Sequence, residues 1–127
     1  MTAVLLDTHT WAWSLNGDSR LSMAARTAMQ TAGAVLVSPI TFFEIAQKVR
    51  LGTWPEMEPF VTQLPALLEQ QGGLVATLEP AISITAGTMD WSHRDPFDRL
   101  LAATALHHNL PLVSANTMFD GIITRLW

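Results

Sequence analysis

The stretch "AVLLDTHTWAW", Ala3 to Trp13, sets four apolar residues in a row, closes them with an aspartate and follows with a segment of helical character. An unbroken apolar run too short for a helix reads as a strand buried on both faces, because a half-exposed strand would alternate. The same device returns as "AVLVS", Ala34 to Ser38. "LVATL", Leu74 to Leu78, and "LPLVSAN", ending near Ser114, give a third and fourth strand, and "GIITRLW" offers a last edge strand. Helices fill the intervals: "THTWAWSL" stopped by Asn16, Gly17 and Asp18, then Ser22 to Ala32, Phe42 to Arg50, Phe60 to Gln71, Pro80 to Met89 and Pro96 to His108. Such alternation requires crossover connections. The expected fold class is therefore α/β, a three-layer α/β/α arrangement with a mainly parallel central sheet. Ligands of such sheets bind beyond the carboxyl ends of the strands, which directs attention to Asp7 and Thr8, Ser38, and Ser114 to Asn116.

At 127 residues, nearly half of them hydrophobic, the chain suits one domain spanning 1–127 with a real core. It has no cysteine, which excludes disulfides, thiolate metal sites and a thiol nucleophile, and fits a reducing, cytoplasmic setting. The first residues lack a basic segment and their apolar run breaks at Asp7, so neither a signal peptide nor a membrane span is expected. A net charge of −4 argues against a broad basic face for nucleic acid. There is no GxGxxG, P-loop or GxSxG motif, and the histidines lack HExxH spacing.

What stands out instead is acid at strand ends and helix mouths. Asp7 is placed either to cap the following helix or to offer a carboxylate to a hard cation. Glu44 completes Thr41-x-x-Glu44, a capping-box pattern, yet it also follows a strand ending at the same sheet edge as Asp7. In "HRDPFDR", Asp95 before Pro96 has the form of an N-cap, which leaves Asp98 free to project from the helix mouth. Arg94 and Arg99 beside them read as charge balance or phosphate contacts. His107 and His108, at the end of that helix, suit a surface position that favours the helix dipole rather than metal ligation.

Taken in order, "LLDTHTWAW", "VSPITFFEIAQKVRLG", "HRDPFDRLLAATAL" and "LPLVSANTMFD" resemble the motifs of the PIN-domain family, most closely its VapC-type bacterial toxin ribonucleases. The resemblance spans almost the whole chain. It implies acids gathered at the carboxyl edge of a parallel sheet around Mg²⁺ or Mn²⁺: Asp7 first, Glu44 second, Asp98 third. The family's fourth acid falls at Asn116 here, with Asp120, four residues on, as an alternative. The resemblance further implies hydrolysis of RNA, a cognate antitoxin lying across the site, and a homodimer. Trp11, Trp13, Phe42, Phe43 and Trp54 are candidates for the partner groove, or else for the core.

The chemistry is self-consistent. Carboxylates brought close together repel one another unless a cation joins them, and that cation supplies the positive charge an acidic protein otherwise lacks for a polyanion. Two other readings compete. A phosphoacceptor signalling domain would need paired acids after the first strand and a lysine after a late one, whereas only Asp7 follows the first strand and Lys48 is the sole lysine. A catalytically silent PIN-like binding module is made credible by Asn116.

Overall fold

A computed structural model describes residues 2–127. In chain order its elements are β1 (Ala3–Leu6), α1 (Thr8–Asn16), α2 (Met23–Thr31), β2 (Ala34–Val37), α3 (Pro39–Arg50), a 3₁₀ segment (Pro55–Gln63), α4 (Leu64–Gln70), β3 (Leu74–Val75), α5 (Pro80–Thr88), α6 (Pro96–His108), β4 (Leu112–Val113), a short 3₁₀ turn (Thr117–Phe119) and β5 (Arg125–Leu126). The strands form one sheet in the order β3-β2-β1-β4-β5, with every pairing parallel. β1 lies at its centre, in register Ala3↔Ala34 to Leu6↔Val37 on one side and Leu5↔Leu112 on the other.

Alternation along β1 sorts the two helical layers. Val4 and Leu6 pack with Trp11, Ala25, Ile45 and Leu68 on one face, while Leu5 meets Leu101, Ala102 and Ala105 of α6 on the other. Both faces are covered, as the unbroken apolar run of β1 requires. The chain leaves β1 first toward β2 and β3 and later returns to β4 and β5 on the opposite side. The direction reverses between β1 and β4, and a crevice opens there at the carboxyl ends of the strands.

Four details depart from the sequence reading. α3 begins at Pro39 rather than Phe42, because Ser38 caps it: its Oγ accepts from Ile40 N at 3.2 Å, and Pro39 occupies the first turn. Thr41 is therefore inside the helix, bonded at 3.0 Å to Thr8 Oγ1, and the capping box with Glu44 does not form. The helix expected from Phe60 is 3₁₀ up to Gln63, since Pro55, Pro59 and Pro65 cannot donate to an α-helical ladder, and α4 starts only at Leu64. The third strand is confined to Leu74 and Val75, an edge strand more than half exposed at both residues. By contrast α6 keeps its expected bounds, set by the Asp95 cap and by Asn109 in the left-handed region at φ 52°.

Candidate active site

Asp7 leaves the central strand directly into α1. Its Oδ1 accepts from Thr8 N at 2.7 Å, so it caps the helix, while Oδ2 accepts from Ser114 Oγ at 2.6 Å across the β1–β4 crevice. One side chain thus caps α1 and faces the crevice, and it is only 7% exposed. Burial raises its pKa above the ordinary carboxylate value and the charge of Glu44 adds to this, against the Ser114 hydroxyl, His9 and the Thr8 N–H.

Glu44 lies in the second turn of α3 and is likewise buried, at 6% exposure. Lys48, one turn further on, donates to its Oε2 at 2.6 Å. Asp98 stands at the third position of α6, just where the Asp95-Pro96 start puts it; Asp95 Oδ1 accepts from Phe97 N at 2.8 Å and from Asp98 N at 3.1 Å. Asp98 Oδ2 is held by His93 Nε2 at 2.6 Å and by Asn116 Nδ2 at 3.3 Å. Its pKa is pushed up to about 6, chiefly by burial and further by the charges of Asp7 and Asp95, with His93 opposing.

These three acids share one cleft of about 360 Å³ with Asn116, His9, Trp13 and Lys48. It runs into a neighbouring recess of about 390 Å³ that shares His9, Trp13 and Lys48 and adds Arg20 and Trp54. Lys48 is committed to Glu44, and burial above all disfavours the charged forms of Asp7 and Asp98, with the neighbouring acids adding to it. Hard oxygen donors gathered in a partly dry cleft fit a divalent ion of the Mg²⁺ or Mn²⁺ kind.

Asn116 joins the cleft, but not as the sequence suggested. Its side-chain oxygen accepts from Met118 N at 3.0 Å, capping the short 3₁₀ turn, so its carbonyl is already engaged and its amide turns toward Asp98. Asp120 is not part of the cleft: it is held by Arg125 Nε at 2.7 Å on the surface. Arg99 is neither a phosphate contact nor a partner of the acids. Its guanidinium donates to four backbone carbonyls, those of Ala86 (2.7 Å), Met89 (2.6 Å), Trp91 (2.7 Å) and His93 (2.9 Å). Arg99 thereby fixes the loop that carries His93 to Asp98.

Of the aromatic candidates, Trp11 is fully buried and donates to Gln71 at 2.8 Å, and Trp54 is buried and stacked on His9 at 4.6 Å. Phe42 packs edge-on against Trp11. Trp11 and Phe42 serve the interior, Trp54 and the partly buried Trp13 line the two recesses, and Phe43, 56% exposed, faces outward. The sequence reading passed over His9, His93 and Lys48 as members of the site. Lys48 was detectable as the i,i+4 partner of Glu44; His93 and His9 lie five and two residues from Asp98 and Asp7, spacings that match no standard ligand or helix-face pattern.

Relatives bear on this geometry. A family model described as PIN domain matches residues 4–122. The chain is 38% identical over 120 residues to "Ribonuclease VapC22" of Mycobacterium tuberculosis, covering 90% of this chain and 87% of that protein. A toxin-antitoxin complex from Klebsiella pneumoniae contains a chain that superposes with a TM-score of 0.65 at 17% identity, covering 96% of this chain and 94% of that one. The structure of VapBC2 from Rickettsia felis bound to a DNA fragment from their promoter gives 0.68 at 14% identity, covering 98% and 97%. The two structures share the fold alone at such identities. The family model and the 38% identical relative, each spanning nearly the whole chain, go further: this protein belongs to the PIN-domain family.

Proposed function

We propose that this chain acts as a single-domain, Mg²⁺- or Mn²⁺-dependent endoribonuclease, the toxin of a VapBC-like toxin-antitoxin pair, with Asp7, Glu44 and Asp98 as the ligands of the ion. The reading rests above all on the meeting of these acids in one cleft at the point where the sheet reverses direction. It is supported by the name of the 38% identical relative. An ion held by these three carboxylates would supply Lewis acidity to a scissile phosphate and a lowered pKa to an attacking water.

The chain's own residues prepare the site. Ser114 and the Thr8 N–H fix both oxygens of Asp7, so its carboxylate cannot rotate away from the crevice. His93 and Asn116 hold one oxygen of Asp98 and leave the other free. Lys48, paired with Glu44, lies at the junction of the two recesses, where its ammonium would be at hand for a substrate phosphate. His9, whose pKa burial lowers, presents an imidazole that is neutral at pH 7, and together with Trp13 it walls the cleft as flat apolar surface for a base. A cognate antitoxin covering this mouth and a homodimer complete the proposed assembly, with the exposed Phe43 as one contact.

A second reading, a silent PIN-like binding module, is favoured by a single observation: the position of the fourth acid is a neutral Asn116 whose carbonyl is already bonded. One assay separates the two. Metal-stripped protein is incubated with single-stranded RNA, with and without Mn²⁺ or Mg²⁺, beside Asp7→Asn and Asp98→Asn. Cleavage that needs the ion and is lost in both variants is expected. Ion-independent cleavage, or full activity in both variants, refutes the nuclease mechanism, and a folded wild type that never cleaves favours the silent module.

A further inference from the structure

Far from the acid cleft, at the opposite end of α6, His107 and His108 meet Glu79, the residue that precedes α5. His107 is nine residues beyond Asp98 on the same helix, which at 1.5 Å per residue separates the two places by about 13 Å. Among the described residues this is the trio of potential ligands whose donor atoms all lie within 4.8 Å of one another. His107 Nε2 is 3.1 Å and His108 Nε2 4.0 Å from Glu79 Oε2.

The bland account of such a trio is a histidine–carboxylate ion pair, and the details fit it poorly. Glu79 Oε2 is shielded from solvent yet has no hydrogen-bond partner. The His107 nitrogen lies at ion-pair distance from that oxygen without hydrogen-bond alignment, so the oxygen's hydrogen-bonding capacity is left unused. The second carboxylate oxygen is fixed from behind: Thr77 Oγ1 donates to Glu79 Oε1 at 2.6 Å, the kind of outer contact that orients a metal ligand. Thr77 also approaches His108 Nε2, through Oγ1 at 3.3 Å and its carbonyl at 3.4 Å.

We infer that Glu79, His107 and His108 form a binding site for a borderline divalent cation, Zn²⁺ foremost, with an exchangeable fourth position. Two imidazoles and one carboxylate are the donors of three-ligand zinc sites and a poor match to Mg²⁺, which asks for oxygen alone. Ligand bonds of about 2.1 Å in a tetrahedron set neighbouring donors roughly 3.4 Å apart. The 3.1 Å pair lies close to that spacing, the 4.0 Å pair needs a shift of under about 1 Å, and all three donor atoms lie within 4.8 Å of one another, so side-chain rotation at this half-exposed place would complete the set. The ion would tie the start of α5 to the end of α6, a pair of helices packed together along their length. The site is independent of the proposed nuclease chemistry.

The test uses untagged full-length protein carrying Asp7→Asn and Asp98→Asn, so that the acid cleft does not compete. Zn²⁺ is titrated against a chromophoric chelator in excess Mg²⁺, and thermal melting is followed in parallel. One equivalent of Zn²⁺ is expected, with a higher melting midpoint. Adding His107→Asn and His108→Asn, or Glu79→Gln alone, weakens binding by about tenfold or more and removes the rise in midpoint. Melting without Zn²⁺ checks that each variant is folded, and His107→Gln alone serves if the double replacement is not. No stoichiometric Zn²⁺ in the Asp7→Asn, Asp98→Asn protein, or unchanged affinity in the folded His and Glu variants, overturns the site.

Discussion

Replacing Asp98 by Asn should make the metal-free protein more stable while abolishing cleavage. The side chain is mostly buried, and its pKa stands at about 6 against an ordinary 3.8. The folded chain therefore resists the charged form that prevails at neutral pH. That difference corresponds to roughly 3 kcal/mol, an upper figure because a partly wet site relaxes around its charge. For an acid with a raised pKa, the folded state holds its proton longer than the unfolded state does. The contribution of Asp98 to stability is thus most favourable below about pH 4, falls as pH rises from 3.8 to about 6, and levels off beyond. Asparagine has no such dependence. The variant and the wild type should melt together near pH 4 and separate above pH 6, by several degrees and up to about 10 °C if the full difference is realised. Mg²⁺ or Mn²⁺ should then raise the wild type and close the gap, because the ion relieves the charge only where Asp98 is present. Melting curves from pH 4 to 8, with and without the ion, measure all of this. An Asp98→Asn protein less stable than wild type at pH 7.5 without metal would show that the charge is not under strain, and the argument for a cation site would lose its main physical support.

Other substitutions sort the charged residues of the same helix mouth. Arg99→Met leaves four backbone carbonyls without their donor and should cost about 3–5 kcal/mol in denaturant unfolding; a loss under about 1 kcal/mol would refute its role as the anchor of the loop. Asp95→Asn keeps a good cap, so stability should fall by less than about 1 kcal/mol and activity only modestly. Asp120→Asn breaks an exposed ion pair outside the cleft and should leave cleavage unchanged in the RNA assay. Asn116→Asp sets a carboxylate beside Asp98 in place of an amide donor, and should tighten Mn²⁺ binding while lowering metal-free stability, measured by calorimetry and melting.

The layers and the sheet were legible because β1 and β2 are unbroken apolar runs, and a covered parallel sheet is what tolerates them: β1 is buried on both faces, while β2, one strand from the edge, is only partly buried except at Val37. α6 was legible to the residue because both of its ends carry local signals, Asp95-Pro96 and a left-handed Asn109. The start of α3 was not, since Ser38-Pro39 and Thr41-x-x-Glu44 are both credible starts. Tertiary contact decided between them by burying Thr41 against Thr8. The strand at Leu74 was overextended for a similar reason: its apolar residues continue, but its neighbour β2 ends, and Thr77 turns away to Glu79. The acids could be found from the sequence because they follow strand ends or helix starts. Thr8, Ser114 and Asn116 stood out as strand-end residues, but which acid each would restrain did not, because Ser114 reaches Asp7 across 107 positions and Asn116 reaches Asp98 across 18.

Asn116 gains a different meaning from this geometry. As a sequence feature it is a missing acid, a loss of charge at a place where the resemblance implies one. In the structure it is a donor: its amide stabilises Asp98, the one acid of the three whose pKa is pushed to about 6, while its oxygen secures the turn after β4. A fourth carboxylate there would raise Asp98 further and make the metal-free fold more costly. Asn116 therefore lowers the electrostatic cost of the cluster at the expense of one ligand. That exchange predicts a site that folds more readily without metal and grips the metal less tightly, and it reconciles the neutral residue with a working nuclease as well as with a silent one. The choice between them falls to the ion dependence of RNA cleavage, because stability alone would look the same in both.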